Sequence, residues 1–558
     1  MARSCAKSFN AKRRRTARSE FPVQLSKHDL LQLDADALAA LSHAQLQGLS
    51  EKLLADLKLA HERLDQAPHN SSRPPSSQAP WERGRDEDHD DTDPDAPSDS
   101  SAPASSTARA DEHVDPPADS AEGSQPEPAT SASPSSTDAD APPPKRPGQR
   151  RGATGHGRTQ RFAIIHRLEH HPTRCARCGS DLQDRAPGAC YHAHHVIDLS
   201  DLGEERIGLE LTDTLHAYHE RTCGCGHSTR AEPGHTPGDA AWDVALSERH
   251  LVGPRLLSLI CALCTRQRLS RRRIQEFLGD WLRLQLSIAT INQCLHEAGR
   301  ALDAVVEEQL LQQARDSGLL HADETSWLEA GKLVWLWVFT SATTTIFTIG
   351  ARSKAVLMSV LGPLFNGWLM SDGYWAYRDL DNRLRCLAHV QRKARGLEES
   401  LDRQARAFGE AVNTCLQAVM DSVYAAREGP PPMDLRQQHA EQLNAFWCLC
   451  LEHIDAAHEK TRALARELLN DFDTFWVTLD HPELPLTNNE AERALRHWVI
   501  ARRISQGTRT AQGSRTVAVL ASVVDTCRKR GLSPWDFIAE VVAERRRGRP
   551  APLLPVAA

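Results

Sequence analysis

The sequence predicts a multidomain α/β protein, and three observations carry that prediction. Between residues 318 and 390, short apolar runs read as strands, two of them rich in β-branched and aromatic residues and two others leading to Asp323 and Asp372. Stretches before and after them repeat apolar residues every three or four positions, the period of helices that pack by one face. From 78 to 155, Asp, Ser, Pro, Ala and Glu replace almost every large apolar side chain, so the core is interrupted. At 558 residues and 61.8 kDa the chain has material for two or three cores.

Composition excludes some classes. The longest uncharged apolar runs, around Leu333–Phe339 and Val517–Val524, are too short for a membrane span, which needs roughly 18 residues. The start, MARSCAKSFNAKRRRTARSE, is basic without an apolar segment, so no secretory signal is expected. The 14 scattered cysteines suit a reducing, cytoplasmic setting with one metal site rather than a disulfide framework. The net charge of -7 conceals an uneven distribution. Residues 82–140 hold 17 acidic and 3 basic residues, which leaves 57 acidic and 64 basic residues elsewhere, a balance that tolerates a polyanionic partner.

In chain order, residues 1–20 form a basic arm with Lys12, Arg13, Arg14 and Arg15, read either as a solvated terminus or as a nucleic-acid contact. Within 30–66, Leu46, Leu49, Leu53, Leu57, Ala60 and Leu64 make one apolar stripe on a helix. A helix of that length needs a partner, another copy or another part of the chain. Residues 67–155 are expected to be a disordered linker, ending in the basic Gly-rich stretch Lys145–Arg158.

Residues 156–235 are expected to form a small zinc-binding module. Cys175 and Cys178 make a CxxCG turn, and Cys223 and Cys225 make a CxCG turn. Four thiolates in two pairs suit one tetrahedral Zn²⁺, and a Gly after each pair permits positive φ. A metal-free pair of turns is the alternative, and Cys190, His192, His194, His195 and His227 are substitute ligands. His192–Leu199 and Arg206–Asp213 read as strands. In 245–312, Cys261 and Cys264 share a buried helical face as core thiols. Helices are expected at Arg271–Trp281 and, capped by Ser287, at Ile288–Ala301. With Arg271, Arg272 and Arg273, this arrangement fits a helix-turn-helix DNA reader or ordinary three-helix packing.

The chemistry is expected in 316–540. A strand delivers Asp323 within His321–Thr325. Leu333–Thr340 and Thr343–Gly350 form a hairpin, Ser353–Leu361 a helix, and Trp368–Met370 a strand followed at once by Asp372. A short strand at Arg385–Leu387 precedes His389, Arg392 and Lys393 on a helix, and 395–480 reads as a helical insertion. Three antiparallel strands, a helix, then a strand bearing a second acid is the order of a ribonuclease-H-like nuclease core. A third carboxylate is needed from a later helix. In TNNEAERALRHWVIARR, Thr487 or Asn488 is read as the cap, and Glu492 lies on a polar ridge with Asn489 and Arg496, which favours it over Glu490. Three carboxylates suit two Mg²⁺ (or Mn²⁺) ions, which activate a hydroxyl and steady the departing oxygen. Arg392, Lys393, Arg496, Arg502 and Arg503 are candidate DNA-backbone contacts. Residues 541–558 are left as a C-terminal tail.

At these residues the sequence resembles the IS66 family of bacterial insertion-sequence transposases. The resemblance rests on the leucine stripe followed by Asn70–Ser77, the basic stretch Lys145–Arg158, the four cysteines, and His321–Thr325 (HADET). It continues through Ser371–Tyr374 (SDGY), Asn488–Arg496 (NNEAERALR), Gly507–Arg515 and Gly531–Trp535. It implies a DDE-type transposase with Asp323, Asp372 and Glu492 as the acidic triad. It also implies element-end and target double-stranded DNA as partners, a homo-oligomer, and accessory element-encoded proteins. A transposase-derived DNA-binding protein without catalysis is the second class. Cys386-Leu387-Ala388-His389 stands where the family commonly has Cys-Trp-Ala-His, the second cysteine pair is CxC, and the acidic linker is extended.

Overall fold

The computed structural model describes residues 38, 41–65, 160, 162–201, 208–429 and 434–556. The basic arm, the acidic linker and Lys145–Arg158 lie outside the described residues. The elements below all belong to the unit made of residues 1–78 and 162–558.

Helix α1 (His43–Asp65) opens with a reciprocal cap: Gln45 N donates to Ser42 Oγ, and Ser42 N donates to Gln45 Oε1 at 3.0 Å. Leu53 and Leu57 of its stripe are exposed.

A small sheet follows, of β1 (His166–His170), β2 (Cys190–Leu199), β3 (Leu211–Thr222) and β4 (Ser228–Arg230). β3 is central, parallel to β1 and antiparallel to β2 and β4. Of the strand expected at Arg206–Asp213, Arg206 and Ile207 lie outside the described residues, and β3 begins at Leu211, paired with Leu199. A two-stranded pair, β5 (His235–Thr236) and β6 (Leu246–Ser247), leads to α2 (Pro254–Thr265), α3 (Arg271–Leu282) and α4 (Ile288–Ala304). Pro254 opens α2, and Ser270 and Ser287 cap the other two through their hydroxyls. Buried Cys261 sits in this core and Cys264 packs against it, as helical spacing predicts.

The central sheet comprises β7 (Leu319–Glu329), β8 (Lys332–Thr340), β9 (Thr345–Gly350), β10 (Trp368–Ser371) and β11 (Arg383–Arg385), ordered β11-β10-β7-β8-β9. β7, β8 and β9 are antiparallel neighbours, whereas β10 is parallel to β7 and β11 to β10. Ala330 and Gly331 close the β7–β8 hairpin at φ 50 and 80, the positive φ that a two-residue turn needs to match strand twist. α5 (Lys354–Leu361) crosses from β9 to β10. The strand expected at Arg385–Leu387 lies two residues earlier, because Leu387 already starts α6 (Leu387–Glu398).

The insertion contains α7 (Arg403–Glu428), α8 (Ala440–Glu452) and α9 (Glu459–Asn470), with a core of its own around Phe408, Leu416, Phe446, Leu468 and Trp476. The chain then returns to the sheet through α10 (Asn489–Ser505), α11 (Ala511–Lys529) and α12 (Pro534–Arg546). α11 covers the outer edge of β9: Ser522 Oγ accepts from Phe347 N at 2.8 Å, and Thr526 Oγ1 accepts from Thr345 N at 3.0 Å. Those hydroxyls satisfy an edge that would otherwise invite another strand. The buried residues of α2, α3, α4, α11, α12 and one face of the sheet form a single cluster. The helices at 254–304 therefore share the sheet's core. Within it, Arg546 pairs with Glu297 at 2.6 Å while donating to Val252 O, so both charges are compensated.

Candidate active site and metal centre

β7 and β10 run parallel, with Met370 opposite His321. Two residues further along that register Asp372 comes beside Asp323. Burial pushes the Asp323 carboxyl well above the usual range, and the charges of Asp372, Glu324 and Glu492 raise it further. Asp372 ends its strand in a turn, with Oδ1 accepting from Tyr374 N at 2.9 Å. Glu492, in the first turn of α10, accepts from Arg392 Nη2 at 2.8 Å and lies 3.5 Å from His389 Nε2. The three acids are electrostatic neighbours, but their donor atoms are not drawn together. Among the described residues, the groups whose donor atoms all lie within 4.8 Å are Cys386–His389–Glu492 and the four cysteines. Glu490 points elsewhere, 3.3 Å from Arg493 and 3.5 Å from Lys529.

Two residues support this arrangement: Asn488, read from sequence as a cap, and Glu324, which sequence reasoning missed. Asn488 occupies the N-cap position of α10 but its side chain does not cap the helix. Fully buried, it donates from Nδ2 to Ala322 O at 2.8 Å and accepts at Oδ1 from His321 Nδ1 at 3.2 Å. It thereby fastens the start of the Glu492 helix to the strand that carries Asp323. Glu324, on the opposite face of β7 from Asp323, is buried against Arg352 (2.7 Å) and Tyr377 Oη (2.6 Å). Burial and then the Asp372 charge raise its carboxyl, while Tyr377 and Arg352 oppose them. Its only sequence signal is adjacency to Asp323.

The cations singled out from sequence have different fates. Arg392 is engaged by Glu492, and Lys393 by Glu467 at 2.7 Å. Arg502 donates to Thr325 Oγ1 and Ser326 Oγ, fastening α10 to β7. In this structure those three hold protein groups. Arg496 and Arg503 are exposed, as are Arg272 and Arg273, and Arg271 is half-buried at the start of α3.

The four cysteines converge. Cys175 and Cys225 Sγ are 3.7 Å apart, and Cys178 and Cys223 Sγ 3.5 Å. Tetrahedral zinc with bonds of about 2.3 Å implies sulfurs about 3.8 Å apart, so the group could hold a metal such as zinc. Gly179 (φ 71) and Gly226 (φ 79) turn the backbone after each pair, and their N–H groups donate to Cys175 O and Cys223 O. Hydrogen bonding to Ser180 brings the Cys178 thiol down to about 6, favouring the thiolate ligand form. The substitute ligands lie outside this group: Cys190, His192, His194 and His195 stand on β2, and His227 is not gathered with the sulfurs.

The sheet thus presents acids from two parallel strands and from a helix fastened to one of them. Residues 249–516 match the family model described as Transposase IS66 family, and this segment is an IS66-family transposase domain. The match includes all three acids and stops short of the four cysteines. Similar proteins occur in Sinorhizobium fredii. The uncharacterized protein y4qI is 25% identical over 280 residues, covering 44% of this chain and 51% of its own length. The uncharacterized protein y4jO is 26% identical over 172 residues, covering 31% and 51%. The chain thus spans about half the length of these curated relatives. No helix among the described residues is long and apolar enough to cross a membrane.

Proposed function

We propose that the chain is a DDE-type transposase that cuts DNA at element ends and joins those ends to target DNA. The observation that carries this reading is the approach of Asp323, Asp372 and Glu492 from β7, β10 and α10 within a transposase-family domain. The strand order β11-β10-β7-β8-β9, with β7–β9 antiparallel and β10 and β11 parallel to β7, supports a ribonuclease-H-like core. The oxygen-rich donor set fits Mg²⁺ or Mn²⁺, and the mutual repulsion at Asp323 is what a divalent cation offsets. Asp323, Asp372 and Glu492 would hold two such ions. When bound, these supply an activated hydroxyl and a counter-charge for the departing oxygen.

In cleavage, the oxygen of water bonds to phosphorus, the bond from phosphorus to the 3′ oxygen breaks, and that oxygen leaves as a 3′-hydroxyl. In joining, this hydroxyl attacks a target phosphodiester and a target 3′-hydroxyl departs, so phosphodiester bonds are conserved. Asn488 and Arg502 hold α10 in register with β7, and Arg392 orients the Glu492 carboxylate. The four cysteines would hold one structural Zn²⁺ that stabilises the small sheet without entering the chemistry. Double-stranded DNA is the proposed partner, with self-association through α1 and element-encoded accessory proteins.

The test is Mg²⁺-dependent cleavage of a labelled duplex carrying the inverted repeats that flank the gene. Asp323→Asn, Asp372→Asn and Glu492→Gln should bind this DNA as the parent does and cut about 10³-fold more slowly or worse. Glu490→Gln should cut nearly as the parent does. Parent-level cutting by all three triad variants refutes the proposal. A parent that binds these ends and never cuts them marks a non-catalytic descendant.

A further inference from the structure

An open cleft of about 710 Å³ begins at Asp372 and runs between the turn after β10 and helix α9 of the insertion. On the first wall, Trp375 is 56% exposed, three residues beyond Asp372, and Arg378 is exposed next to it. On the other wall, Arg462, Ala463, Arg466 and Asn470 share one face of α9, at helical spacings of one, three and four. The opposite face of α9, with Leu464 and Leu468, is buried in the insertion core. The two guanidinium groups are oriented chiefly by backbone carbonyls. Arg462 donates to Ala456 O at 2.7 Å, and Arg466 donates to Ile454 O at 2.9 Å and meets only the exposed Asp455.

Ion pairs hold the cleft's shape. Arg385 bonds Asp471 and Glu467, and Arg383 bonds Asp471, tying α9 and the residues after it to β11. A Cβ on Gly373 would stand 2.7 Å from Arg385 Nη1 and 2.9 Å from Glu467 Oε1, so a larger residue there must displace the ends of those side chains. With Glu467 neutralised by Arg385 and Lys393, cations outnumber the acids facing the cleft.

We propose that this cleft binds a single DNA strand, with one unstacked base against the Trp375 indole and neighbouring phosphates on Arg462 and Arg466. The inference rests on the proposed nuclease function and deepens it by giving the strand a path to Asp372. A duplex keeps its base faces stacked, so an exposed indole meets a base face only where the strand is unpaired. Base–aromatic stacking combined with a basic groove is the general means of holding single strands.

The experiment measures binding of the full-length protein to a fluorescein-labelled 20-nucleotide single strand, and to the same sequence as a duplex, in EDTA over a range of salt. Trp375→Ala should weaken single-strand binding about ten-fold, Trp375→Phe should restore most of it, and duplex binding should change little. Arg462→Gln/Arg466→Gln should reduce the single-strand salt slope by about 1.4, the loss of two phosphate contacts. These side chains lie on the surface of the cleft, and circular dichroism confirms that the variants fold. Unchanged single-strand affinity in Trp375→Ala together with an unchanged slope in the arginine variant overturns the proposal. Equal weakening of single strand and duplex by Trp375→Ala overturns the stacked base. Because binding is read without metal, a failure here is distinguishable from a failure of the triad, which Asp372→Asn cleavage tests separately.

Discussion

Replacing Asn488 with Ala separates a structural strut from a helix cap. The side chain is fully buried and makes two hydrogen bonds, to Ala322 O at 2.8 Å and with His321 Nδ1 at 3.2 Å. Ala removes both and leaves a buried carbonyl and a buried imidazole N–H without those partners. Each stranded group costs about 1–3 kcal/mol, so a loss of about 2–4 kcal/mol is expected, allowing for partial relaxation. A lost helix cap alone would cost about 1 kcal/mol. The loss is local: it frees the first turn of α10 from β7, one turn before Glu492. A displacement near 1 Å at a catalytic carboxylate costs on the order of 10²-fold in rate. Hydrogen exchange should therefore show faster opening at the start of α10 and in β7 around Ala322, with β8 and β9 protected as in the parent. Cleavage of the end duplex should fall about 10²-fold with DNA binding retained. Parent-like exchange at both segments together with parent-like cleavage would falsify the strut.

Three further outcomes are expected. Cys175→Ser/Cys178→Ser should remove about one zinc per chain on metal analysis and lose exchange protection in β2 and β3; a protein that keeps both loses no metal site there. In the same sheet, burial lowers the His170, His194 and His216 imidazoles, His194 to about 4. Unfolded imidazoles titrate near 6.5, so between about 4 and 6.5 the unfolded chain binds more protons. Protection of β2 and β3, corrected for intrinsic exchange, should therefore be complete above that window and fall as pH drops through it. His194→Gln should flatten the dependence, and a pH-independent parent contradicts it. Lastly, Gly373→Ala should crowd Arg385 and Glu467 and loosen α9, detected as faster exchange in α9. Unchanged exchange there would show that the pair absorbs the methyl group.

Much of the architecture was legible because it depends on neighbours in the chain. Runs of β-branched and aromatic residues announced β7, β8 and β9, and Ser287 announced the start of α4, since strand and cap signals act over a few residues. Each cysteine pair carried its own glycine, so the turns were readable before the pairs met across the fold. The order of acids along the chain was equally local, and so was the contrast between Glu490 and Glu492, which helical geometry sends in different directions.

The partners of polar groups were decided only by the tertiary structure. Arg392, Lys393 and Arg502 look like any exposed cation in sequence, and each bonds a group 74 to 177 positions away. Asn488 has the composition of a cap, yet a buried amide takes the bond that best offsets its desolvation, and here that is Ala322 O, 166 residues earlier. The cleft beside Asp372 likewise needs β10 and α9 to face each other across Gly373, a proximity that no window of sequence contains. Short-range patterns follow from backbone geometry, which every residue carries with it. Pairing between buried charges and amides follows from which surfaces the packed core brings together, and that is settled only when the whole chain has folded.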